Sequence, residues 1–320
     1  MRNIRLFTVG LAVCTLSALV TPALAAPSTA HATTTTTAPA AESRFMRFVG
    51  DSKTGGSLQT ADITFENDQG VKVRLVSAVH IADHDYFQSL NDSFKSCDVV
   101  LYEMVKPKDA GAPQPGAGTS DIAKFQRFLK DTLDLDYQLD TIDYNAPNFV
   151  HADLSAEEFQ RMQAARGESI PQLMLSSMLK QLANPGAAEE YADEPTDTFD
   201  LMTRPDGTRQ FKLILARRMG DIEKDVMGGF GMDGTVILTE RNKAAVKVLR
   251  EQIKSGKKNL AVFYGAAHMP DLSDRLDLMG FHPTHTEWHK AWDVTIRDNQ
   301  PSAFQRVLDL TAKAATQPAP

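Results

Sequence analysis

The sequence predicts an α/β fold, with a central mixed but largely parallel sheet flanked by helices and carrying a helical insertion. Three observations point to it. Apolar runs at residues 75–79, 99–102 and 260–267 have the length of buried strands. Tyr86, Phe87, Leu90 and Phe94 give the segment between the first two runs a helical period. Ala245, Val248, Leu249 and Ile253 share one face of a helix over 239–255, which feeds the third run across Gly256. Crossovers of this length make the flanking strands parallel and the connections right-handed.

The elements follow in order. Residues 1–25 have the parts of a secretory leader: Arg2 and Arg5, an apolar stretch, then Pro22 and Ala23-Leu24-Ala25. This predicts an exported product, periplasmic or extracellular, with no stable membrane insertion once the leader is cleaved. Cys14 lies within the leader and only Cys97 remains, which excludes an internal disulfide. Residues 26–42 read as a Thr/Ala/Pro linker, 43–300 as one α/β domain and 301–320 as a tail. Loss of the leader removes two Arg and no acid, so 34 Lys+Arg fall to 32 against 41 Asp+Glu and the net charge becomes −9. That balance predicts a surface that repels nucleic acid and anionic lipid.

Strands at 45–49 and 61–66, separated by a Gly55-Gly56 turn, predict an antiparallel entry to the sheet. Helices are expected at 121–133, 155–165, 171–182 and 210–226, forming an insertion above the sheet that shapes a substrate cleft. Ser155 with Glu158 is a capping box, and Pro171 opens the third helix. The Pro- and Gly-rich stretch at 106–119 predicts a loop over the same edge. A strand at 281–295 closes the domain, with His285 and His289 on one face and His282 on the other.

The three apolar runs end on His80, Glu103 and His268. In parallel sheets, chemistry gathers outside the strands' carboxyl ends, so these three are the candidate site. Two His and one carboxylate with an open position form a hydrolytic metal set. The same residues also read as hydrogen-bonded imidazoles at strand ends and a carboxylate reaching solvent. Arg241 is placed to pair with Glu103 or to clamp a substrate carboxylate. Asp83 or Asp85 is expected to cap the helix after His80, and His151 and Asp153 precede the capped Ser155 helix. Met174 and Met178 read as core.

These segments resemble the TraB/GumN family, which includes the Tiki metalloproteases and the pheromone-shutdown proteins. The resemblance spans about residues 45–292. It rests on Val76-Ser77-Ala78-Val79-His80-Ile81-Ala82-Asp83, Val100-Leu101-Tyr102-Glu103, Phe149-Val150-His151-Ala152-Asp153, Glu240-Arg241-Asn242 and Tyr264-Gly265-Ala266-Ala267-His268-Met269. The family carries two Gly-x-x-His motifs and a Glu, matched by His80, His268 and Glu103, with Ser77 in place of the first Gly. Arg241 matches a further position near that centre. The resemblance implies a fold related to erythromycin-esterase-like and ChaN-like proteins. It also implies a divalent-metal hydrolase (Mn, Co or Zn) acting on a peptide or small acyl substrate. A protein that sequesters a peptide or haem-like ligand without turnover is the alternative.

Overall fold

The computed structural model describes residues 43–113, 116, 121–168, 207–220 and 235–295. The expected leader, linker and tail, the expected helix at 171–182 with Met174 and Met178, and the end of the expected helix at 210–226 lie outside them.

The chain opens with β1 (Met46–Asp51) and the thirteen-residue β2 (Gly55–Asn67), joined by a hairpin. Residues 52–54 make the turn, where Asp51 Oδ1 accepts from the backbone N–H of Lys53 and Thr54 at 2.7 Å. The turn thus precedes the glycine pair. Gly56 is instead needed inside the ladder, because a Cβ there would lie 2.1 Å from the Val49 carbonyl oxygen.

After β3 (Lys72–Ala78) come the two-residue β4 (Ile81–Ala82), α1 (His84–Phe94) and β5 (Val99–Tyr102). Then follow α2 (Asp121–Leu133), β6 (Asp136–Tyr137), the single turn α3 (Gln138–Thr141), β7 (Phe149–His151) and α4 (Ala156–Arg166). The carboxyl-terminal part holds α5 (Gly207–Gly220), a π-turn at Val236–Glu240, α6 (Arg241–Lys254) and β8 (Asn259–Gly265). It ends with a 3-10 turn at Ala266–His268, α7 (Met269–Leu278) and β9 (Phe281–Asp293).

The principal sheet is mixed. β3, β8, β5 and β7 lie side by side and parallel. β2 joins this half antiparallel to β3 and pairs with β9 along its other side, while β1 takes the part of the β2 edge that β3 leaves free. Helices cover both faces of the parallel half, which explains why its strands are continuously apolar. On one face Val76, Ala78, Val100 and Phe263 pack with Phe87, Leu90 and Phe94 of α1. On the other Leu75, Leu101, Val262 and Tyr264 pack with Ala245 and Leu249 of α6 and with Leu272 and Leu276 of α7.

The described parts of the helical insertion do not form one lid. Helix α5 lies against β1 and β2 so closely that a Cβ on Gly220 would stand 2.6 Å from the Phe48 backbone nitrogen. Helix α4, with the expected Ser155–Glu158 capping box, reaches the π-turn instead, where Arg166 pairs with Glu240 at 2.5 Å.

Candidate functional site

β8 lies between β3 and β5, so the carboxyl ends that lead to His80, His268 and Glu103 are neighbours on one edge of the sheet. Neighbouring strands stand about 4.8 Å apart. The strand ends that lead to residues separated by up to 188 positions in the chain therefore lie within two strand spacings.

Glu103 is the centre of a buried cluster. Its Oε1 accepts from an Arg241 Nη at 2.8 Å and its Oε2 from the Gly265 backbone N–H at 2.6 Å. The His268 Nε2 stands 3.5 Å from Oε1. Arg241 also grips Asp153, donating from Nε at 3.0 Å and from Nη at 2.5 Å, and the Asp153 side chain is 0% exposed. Burial raises the Glu103 carboxyl, but the charges of His268 and Arg241, with a smaller contribution from His80, outweigh it and hold the group well below the usual carboxylate range. Arg241 is therefore no solvated surface residue. Two carboxylates face one guanidinium, leaving one negative charge that a cation or a protonated imidazole would balance.

Both imidazoles are fixed by side-chain amides. Asn242 Nδ2 donates to the His268 carbonyl at 3.1 Å and to Asp271 at 2.7 Å, so its Oδ1 must face His268 Nδ1, which lies 2.7 Å away. The Nδ1 therefore carries the proton when the ring is neutral, and Nε2 presents a lone pair toward Glu103. His80 has the same arrangement in looser form. Its Nδ1 lies 3.2 Å from Gln138 Oε1, and Gln138 Nε2 donates to the Tyr144 hydroxyl at 2.8 Å. His268 is buried and His80 is exposed.

Asp153, Asn242, Gln138 and Gly265 complete this centre. Asp153 is one of the residues the sequence places before the capped Ser155 helix, and Asn242 is the neighbour of Arg241. Gln138 had no signal, because its link to His80 spans 58 positions of ordinary sequence. Asp83 occupies the N-cap position of α1, yet its carboxylate makes no capping bond and accepts from the Asp293 backbone N–H at 2.5 Å and from Lys212 at 3.2 Å. It ties α1 to β9 and α5. His151 donates from Nε2 to the Met104 carbonyl at 2.6 Å, a tie between β7 and the chain after β5.

The three C-terminal histidines depart from the alternation that the sequence predicts. A register shift in β9 sets His282 opposite Glu66 and His285 opposite Thr64, so His282 shares the face of His285 and His289. The alternation rule failed there because a bulge adds a residue to one strand. His289 Nε2 lies 3.8 Å from Asp62, which Arg74 grips from the neighbouring strand.

Among the described residues no group of three His, Cys, Asp or Glu side chains is arranged to hold a metal ion. With both rings neutral, the donor chemistry at the sheet edge still suits one: two Nε2 lone pairs, each set by a hydrogen bond at Nδ1, and a carboxylate held by Arg241 and the Gly265 N–H. No protein-family model, curated protein or solved structure matches the chain.

Proposed function

We propose that the chain is an exported metal-dependent hydrolase of the TraB/GumN type, acting on a peptide or another small acyl compound. One observation carries this reading: two imidazoles whose Nδ1 is held by a side-chain amide, and a carboxylate gripped by Arg241 and the Gly265 N–H, follow three adjacent ends of parallel strands. The mixed sheet flanked by helices agrees with the erythromycin-esterase-like and ChaN-like fold that the resemblance implies.

His80, Glu103 and His268 would hold the ion, with Mn, Co or Zn suited to this ligand set. When bound, such an ion supplies a water whose pKa falls toward neutrality. The chain's own residues set the frame. Glu103, held by the Arg241 guanidinium and the Gly265 N–H, completes the donor set or acts as general base. Arg241 spends Nε and one Nη on Asp153 and Glu103; its other Nη, 3.5 Å from the Ile237 carbonyl, is the group left to meet developing charge on a substrate oxygen. Exposed His80 marks the side from which substrate enters.

Metal analysis of the purified mature chain and of His80→Ala and His268→Ala tests the reading, together with hydrolysis of a peptide library and of simple acyl esters. About one equivalent of ion in the parent and a loss in both variants is expected. Equal metal content in all three would refute the ligand assignment. Glu103→Gln separates turnover from sequestration: a hydrolase loses its rate and keeps bound peptide, whereas a sequestering protein shows no turnover in either form.

A further inference from the structure

Away from the sheet edge, α6 and α7 enclose a surface groove of about 360 Å³. Lys243, Lys247, Arg250 and Lys254 line it from α6, at steps of four, three and four, which set them in one stripe. Arg275 and Leu278 line it from α7. The opposite face of α6 carries Ala245 and Leu249 into the core, so the groove and the Glu103 cluster lie on different sides of the helix.

The charges in the groove are unevenly satisfied. Lys243 pairs with Glu240 at 2.9 Å and Arg275 with Asp271 at 2.7 Å. Lys247, Arg250 and Lys254 have no side-chain partner among the described residues, and Glu251 is the single acid in the lining. Three unpaired cations spread over ~10 Å of helix stand out in a chain of net charge −7. Charge elsewhere on the surface is screened over about 8–10 Å at physiological salt, so the groove presents its own sign to a ligand at contact. Leu278, 88% exposed, forms an apolar wall at one end.

We propose that this groove is an anion site for a phosphate ester carrying an apolar part. The volume is that of a small-ligand pocket, and Arg250 with two lysines supplies the forked and point-charge donors that phosphate oxygens take. Leu278 gives the organic part of the ester something to lie on. The ester's source is either a lipid headgroup or a soluble molecule, and the inference does not depend on the function proposed for the sheet edge.

The test uses the full chain. Calorimetric titration with inorganic phosphate and with glycerol 3-phosphate probes the soluble source, and co-sedimentation with phosphatidylcholine vesicles, with and without phosphatidylglycerol, probes the lipid source. Saturable binding in at least one arm is expected, weakened about tenfold or more by the double variant Lys247→Glu/Arg250→Glu and strengthened by Glu251→Lys. Lys72→Glu, an exposed position on β3, should leave it unchanged. Vesicle binding that Leu278→Ser weakens identifies a headgroup, whereas glycerol 3-phosphate binding without vesicle binding identifies a soluble ester. Absence of binding in both arms, or binding that survives the double charge reversal, overturns the proposal.

Discussion

The two strand-end histidines begin from similar sequence and arrive at different structures. Ser77-Ala78-Val79-His80 and Gly265-Ala266-Ala267-His268 look like copies, but the sheet sets Ala78, not Ser77, opposite Gly265. His80 stands two residues past its strand and His268 three. After β3 the chain bends into β4, which pairs with β6 and leaves His80 exposed. After β8 it tightens into a 3-10 turn and enters α7, which buries His268 to 4% exposure. The partners differ in the same direction, 2.7 Å to Asn242 against 3.2 Å to Gln138. A shared motif has produced one anchored imidazole beside Glu103 and one accessible imidazole at the rim, a division that suits a site needing both fixed charge and entry.

The largest expected effect tests the anchored side. Arg241→Ala leaves Glu103 and Asp153 buried without their shared cation, a loss of about 3–5 kcal/mol of stability. His80→Ala should stay within about 0.5 kcal/mol, as an exposed position does. Urea unfolding of both variants gives the contrast directly, and similar midpoints would mean that the two sides do not differ.

Next in size is the amide that sets His268. Asn242→Ala strands the His268 carbonyl and ring in a buried place and should cost about 1–3 kcal/mol. Any metal affinity or turnover should fall about 10–100-fold, as when an outer partner of a ligating His is lost. Nitrogen-15 spectra of the imidazoles supply a readout that stability does not move: His268 should sit in the Nδ1–H form in the parent and become a tautomer mixture in Asn242→Ala. An unchanged His268 signal would show that Asn242 does not set the ring.

The part of this arrangement that was legible in the sequence is the part written locally. Strand Val99–Tyr102 and helix Asp121–Leu133 have the expected limits, and Ser155 and Glu158 form the expected box, because periodicity and capping act within a few residues. Glu103, Arg241 and His268 were found as chemistry-bearing residues at the ends of such elements. The partner of His80 is not, since Gln138 reaches it only after β4 and β6 pair, and two-residue strands carry no period. The π-turn before Arg241 and the register shifts of β9 were invisible for the same reason: each is a local departure imposed by long-range contacts. Asp83 shows the limit from the other side. It has the right type and place for a cap, but the Asp293 N–H is the donor that reaches it.

Acid should reveal the Glu103 cluster more gently. A carboxyl held below its unfolded value contributes stability that is complete above that value, about 4.3 for Glu, and is lost as pH falls through the folded value. The melting temperature of the parent should therefore drop progressively as pH is lowered below about 4.3. Glu103→Gln should start lower at neutral pH and lose less over the same acid range. Parallel curves for the two proteins would remove Glu103 from the groups that link stability to pH.

The smallest effect concerns the glycine of the anchored motif. Gly265 has φ −54°, a backbone that any residue adopts, so its lack of a side chain is not a matter of turn geometry. A Cβ there would lie 3.3 Å from Glu103 Oε2, tight enough to push the carboxylate by a few tenths of an ångström while the Gly265 N–H still holds it. Ser77 escapes this constraint because it lies opposite Tyr264 in the register, which explains how the first motif tolerates a side chain. Gly265→Ala should then cost less than about 1 kcal/mol in stability and yet shift the His268 imidazole resonances, because Glu103 Oε1 is the nearest carboxylate oxygen to that ring. Silent His268 resonances in a normally stable Gly265→Ala protein would mean that the close approach to Glu103 is not why glycine occupies this position.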